Sequence, residues 1–112
     1  MKTLPTLQST RDAIIASNAS GKITDKEKRA AKRLMPTLNT AIRLLEQGMT
    51  EEVLRKELAT VMKTISIYNY RLTHTLDGKE KEVNKVEREL WEKKCGYTDM
   101  RRQMKLIKYM LL

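Results

Sequence analysis

A single cysteine, Cys95, is present in the whole chain, so no intramolecular disulfide can form and no cysteine–histidine set is spaced to hold zinc. That scarcity fits a reducing compartment. No apolar run approaches the roughly 18 residues needed to cross a bilayer, and residues 1–6 carry no signal-type hydrophobic stretch. The expectation is a soluble, cytoplasmic protein. Aromatic residues are few and phenylalanine is absent, so any core must be built from Leu, Ile, Val, Met and Ala. Glycine is sparse too. Gly21, Gly48, Gly78 and Gly96 stand singly at turns, which excludes a glycine-rich phosphate-cradling loop. The only histidine, His74, has no Ser, Cys or Asp spaced as a nucleophile with its base. No carboxylate pair is set apart from the lysines and arginines for acid–base work. The sequence therefore predicts no enzyme activity, no cofactor and no metal.

Positive charge is what the chain has in excess. Lys and Arg number 23 against 14 Asp and Glu, for a formal net charge of +9 in 112 residues. Charge of that size on so small a chain sets a field that favours polyanions or acidic surfaces. With 40% hydrophobic and 33% charged residues, the core must be thin. Such a helical layer often completes its core against a copy of itself. The length predicts one α-helical domain over 1–112.

Hydrophobic spacing predicts four to five helices in a small antiparallel bundle. Leu7, Ile14 and Ile15 mark a helix over about 6–17, with Thr6 or Ser9 as cap, followed by a turn over 17–21. Thr24-Asp25-Lys26-Glu27 is a capping box that opens the second helix. Its stripe of Ala31, Leu34, Leu38, Ala41 or Ile42, and Leu45 runs through Pro36, which predicts a kink or break near residue 35. Gly48 stops it. Thr50 caps a third helix, with Glu51 and Glu52 favourably placed at its positive end. Leu54, Leu58, Val61, Ile65, Tyr68 and Leu72 follow at heptad-like steps, forming a seam long enough to pair with the same helix of a second chain as a homodimer. Residues 64–70 are rich in β-branched and aromatic side chains and compete as a strand. The seam crosses them without a change of phase, which favours helix. Asp77-Gly78 reads as a turn. A fourth helix is expected over 79–95 with Val83, Val86, Leu90 and Trp91 inward. A fifth opens at Thr98 and Asp99, with Met100, Met104, Ile107 and Leu111 as its seam.

The cations gather in two clusters. Lys22, Lys26, Lys28, Arg29, Lys32 and Arg33 are opposed only by Asp25 and Glu27. Lys28 with Lys32, and Arg29 with Arg33, are like-charge i,i+4 neighbours that each cost the helix about 0.2–0.5 kcal/mol. That cost suggests a use for the charge. Lys93, Lys94, Arg101, Arg102, Lys105 and Lys108 form the second cluster, on a helix whose cations alternate with Met100, Met104, Leu106, Ile107 and Met110. A basic amphipathic helix suits nucleic acid, an acidic protein groove or an anionic membrane surface; the membrane is the weakest of the three. Tyr97 and Tyr109 flank the region and can stack on unpaired bases. In each cluster the bland alternative is a solvated face.

A helix-turn-helix reading sets Glu57-Leu58-Ala59 at the start of such a motif and makes Asn69, Arg71 and His74 base readers. It fails at the corner, where Lys63 stands in place of a glycine and Thr64 in place of an apolar anchor. One continuous helix is the better expectation. Trp91 reads as a core anchor and Cys95 as an inert thiol. Two functions follow from these features. One is a non-enzymatic module holding DNA or RNA through phosphates. The other is a protein-interaction module for an acidic partner or for its own copy.

Overall fold

A computed structural model describes all residues 1–112. Five α-helices occupy 79% of them, with no strand. They are α1 (Leu4–Ser20), α2 (Asp25–Glu46), α3 (Glu51–Thr73), α4 (Lys85–Cys95) and α5 (Tyr97–Leu111). The all-α expectation holds, and residues 64–72 lie inside α3 as helix. The contacts gather in two compact units, one of Met1–Val53 with Met110–Leu112 and the other of Leu54–Tyr109.

In the first unit α1 and α2 pack on each other. The short connection over 21–24 folds the second helix back on the first. Leu7, Leu38, Ala41 and Met110 are fully buried and Ile42 nearly so. The Lys2 N–H donates to the Met110 carbonyl at 2.8 Å, fastening the chain's two ends within this unit. The first helix is longer at both ends than the sequence predicts. Thr3, rather than Thr6 or Ser9, caps it, because the Thr3 hydroxyl accepts from the Thr6 amide and Pro5 is tolerated in a first turn. Residues 17–20 stay helical until Gly21, at φ +67°, supplies the left-handed stop.

The second helix starts at the expected capping box. The Glu27 N–H donates to the Thr24 hydroxyl oxygen at 3.2 Å. The Glu27 carboxylate, however, accepts from the Thr24 hydroxyl at 3.1 Å instead of reaching the Thr24 amide. The helix is unbroken through Pro36. Proline there removes only the bond to the Lys32 carbonyl. Both residues are exposed, so water can serve that carbonyl, while Leu38, Ala41 and Ile42 on the other side stay buried. The helix ends in a Schellman arrangement. The Gly48 N–H donates to Leu45 and the Met49 N–H to Leu44, each at 3.0 Å, and Gly48 takes φ +88°.

In the second unit α3 is continuous through Lys63 and Thr64, so no helix-turn-helix corner exists. Leu54, Val61, Leu72 and Ile107 are buried. After α3 the chain makes a tight loop in which His74 bridges Glu80, and the Thr75 N–H donates to the Lys79 carbonyl at 2.8 Å. This loop is why the fourth helix starts at Lys85 and not near 79. Asn84 caps it, accepting from the Glu87 amide at 2.9 Å and donating to the Glu87 carboxylate at 2.8 Å. Val86 and Leu90, expected inward, are 64% and 63% exposed. The rotation of α4 is set by Trp91, whose indole N–H donates to the Tyr68 carbonyl at 3.2 Å. That tether turns Trp91 and Cys95 inward and the neighbouring stripe outward.

Candidate nucleic-acid interface

The first basic cluster lies wholly in the first unit. Lys22 follows the Gly21 stop, and Lys26, Lys28, Arg29, Lys32 and Arg33 occupy the N-terminal half of α2; all six are exposed. The positive end of the helix dipole adds to the same sign of charge. The arrangement is therefore mildly unfavourable for the helix and favourable for an approaching anion. Of the two carboxylates among these cations, Asp25 and Glu27, the second accepts from the Thr24 hydroxyl. The ion pairs Arg11–Asp12, Lys79–Asp77 and Lys85–Glu89 involve none of the six.

Beside this cluster an open cleft of about 680 Å³ is lined by Asn18, Lys28, Lys32, Met35, Pro36 and Asn39. The extra turn of α1 that sequence reading assigned to a loop is what brings Asn18 here. A narrower apolar recess of about 290 Å³, lined by Ile14, Ile23, Ala30, Ala31 and Leu34 among others, separates the same two helices. Neither Asn18 nor Asn39 carries a sequence signal by itself. Only the pairing of α1 with α2 places them on one cleft.

The second cluster lies in the second unit. Lys93 and Lys94 end α4, Gly96 turns the chain at φ +70°, and Arg101, Arg102, Lys105 and Lys108 stand along α5; all six are exposed. A pocket of about 210 Å³ gathers Arg101, Arg102 and Lys105 with Tyr97, Thr98 and Glu92. Lys93, Lys94 and Lys108 stand outside it. Arg101 lies 5.8 Å from the centre of the Tyr97 ring and Lys94 lies 6.0 Å from that of Trp91. Both are cation–π distances. No member of this cluster joins the ion pairs named above.

The apolar side of α5 is largely occupied. Ile107 and Met110 are buried, while Met100, Met104, Leu106 and Leu111 are half-buried. No helix is long and apolar enough to cross a membrane. Of the two tyrosines, Tyr97 lines the pocket. Tyr109 is half-buried, and desolvation raises its phenol above the usual value.

Half of the α3 seam is buried within the chain. Leu54, Val61 and Leu72 are buried, and Leu58, Ile65 and Tyr68 are half-buried. Of Asn69, Arg71 and His74, Arg71 lies 6.0 Å from the centre of the Tyr68 ring. His74 stacks on Tyr70 with ring centres 3.9 Å apart, and its Nδ1 lies 3.0 Å from the Tyr70 carbonyl. The thiol of Cys95 is half-buried and lies 3.7 Å from the Glu92 carbonyl as a weak donor.

Comparison with protein families, with curated proteins and with solved structures returns no match.

Proposed function

We propose that this protein is a non-enzymatic module that holds nucleic acid mainly through phosphate contacts, in an accessory or regulatory role. The observation that carries the reading is the presentation of charge. Twelve exposed cations fall in two stretches, residues 22–33 and 93–108, and none of them joins the ion pairs Arg11–Asp12, Lys79–Asp77 or Lys85–Glu89. Such side chains release condensed counterions when they meet a phosphate backbone. The pocket at Tyr97, Arg101, Arg102 and Lys105 adds guanidinium groups suited to bidentate phosphate contact.

A salt titration tests it. The parent is expected to bind DNA or RNA with log affinity falling linearly against log salt concentration. Arg29→Glu with Arg33→Glu, and separately Arg101→Glu with Arg102→Glu, should each weaken binding and flatten the slope by about two phosphate contacts. No binding to duplex or single strand at low salt overturns the reading.

A protein-interaction role is the second reading, favoured by a different observation. Val86 and Leu90 stand one turn apart and exposed on α4, a helix with no fully buried residue. An acidic partner, or a second copy of the chain forming a homodimer, would suit an apolar stripe flanked by cations. Capture of an acidic protein that survives nuclease treatment supports this reading over the first, and a monomeric mass in solution removes its self-association form.

A further inference from the structure

We infer that the cleft between α1 and α2 receives an unpaired nucleotide, so that the first unit prefers single-stranded nucleic acid to duplex. This rests on the nucleic-acid reading and makes it more specific. Three features of the cleft converge. Its volume, about 680 Å³, falls in the range of sites that hold small organic ligands. Its wall combines the apolar groups of Met35 and Pro36 with the amides of Asn18 and Asn39, one from each helix. Lys28 and Lys32 stand one helical turn apart on the same cleft.

Each feature matches one part of a nucleotide. A base has apolar faces, one of which can rest on the thioether and the pyrrolidine ring. Its edge offers donors and acceptors together, and a carboxamide is the side chain that presents both; asparagine pairs bidentately with an adenine edge for this reason. The flanking phosphates are anionic, and two lysines with their stems along the cleft hold them as point charges. A paired base is stacked inside a duplex and cannot offer its face and edge to a concave wall, whereas a single strand can splay one out. A solvated basic face requires neither the amides nor the apolar floor.

The test measures binding of the whole chain to a mixed-sequence single strand and to a hairpin duplex of equal length, each across a salt series. The parent is expected to bind the single strand about tenfold tighter. The double variant Asn18→Ala/Asn39→Ala should lose that preference while keeping the parent's salt slope, because the phosphate contacts remain. Both residues are exposed, so the fold should tolerate the change, and the variant's helical content is checked by circular dichroism. Met35→Gln, which roughens the floor without changing charge, should give the same loss. Equal binding of strand and duplex by the parent, or an unaltered preference in both variants, overturns the cleft assignment while leaving phosphate binding standing. Absence of any binding by the parent overturns both.

Discussion

Single side chains do three separable kinds of work in this molecule. Leu7 and Leu38 are each fully buried in the first unit, and their burial supplies much of what a thin core can offer. Truncating either to alanine is expected to cost about 2–5 kcal/mol through lost transfer energy and the cavity left behind, measured as a lower midpoint in urea denaturation. Thr24 works locally. With Thr24→Ala the start of α2 loses the acceptor of the Glu27 amide, at a cost of about 1 kcal/mol, while the core is untouched. Tyr109 is a titration probe. Desolvation raises its phenol above 10.0, so folding favours the protonated form. The stability it contributes is fully present below the unfolded phenol range and is lost as pH rises through the raised folded value. Tyrosinate absorbance during an alkaline titration should therefore lose a late step in Tyr109→Phe, and unfolding the parent should move that step down. The spacing of leucines marked Leu38 and Leu54 as core, but it could not separate Val86 and Leu90 from Trp91. All three fall in one short segment, and only the indole bond to Tyr68 decides which of them turns inward.

Elements are legible where chemistry at their ends is local. The capping box at Thr24, the hydroxyl of Thr50 accepting from Val53 at 3.3 Å, and the left-handed glycines after α1, α2 and α4 all depend on residues close in sequence. The start of α4 was legible too, in the Asn84-x-x-Glu87 spacing. It was masked by the charged run that begins at Lys79, which looks helical until the Thr75–Lys79 loop takes its first residues. Pro36 is the reverse case. Local rules predict a kink or break, and the break does not occur: the helix runs on through the proline into the turn that buries Leu38, Ala41 and Ile42. Pro36→Ala restores the amide and is expected to stabilise α2, by up to about 3 kcal/mol, read as a higher thermal midpoint. An unchanged or lower midpoint would mean that the proline ring itself packs productively. Since Pro36 also lines the cleft, the same variant separates helix stability from ligand contact: a gain in stability with weaker single-strand binding is the expected pair of results.

For the whole molecule, net charge determines behaviour more than any one contact does. A chain of +9 repels itself when compact and attracts polyanions, and both effects are screened by salt. Raising ionic strength is therefore expected to increase thermal stability modestly while weakening nucleic-acid binding steeply, two trends of opposite sign in one salt series. The sequence alone determined the helical class, the five-part punctuation, the excess of cations and their grouping into two stretches, since each follows from spacing, capping chemistry and composition acting over a few residues. Tertiary structure decided the rest. It set the rotation of α4, the continuity of α2 across Pro36, the consumption of half the α3 seam within the chain, and the place of Asn18 on one cleft with Lys28, Lys32 and Asn39. These depend on which faces pack together, and packing joins residues far apart in the chain through shape and burial, which no local pattern encodes.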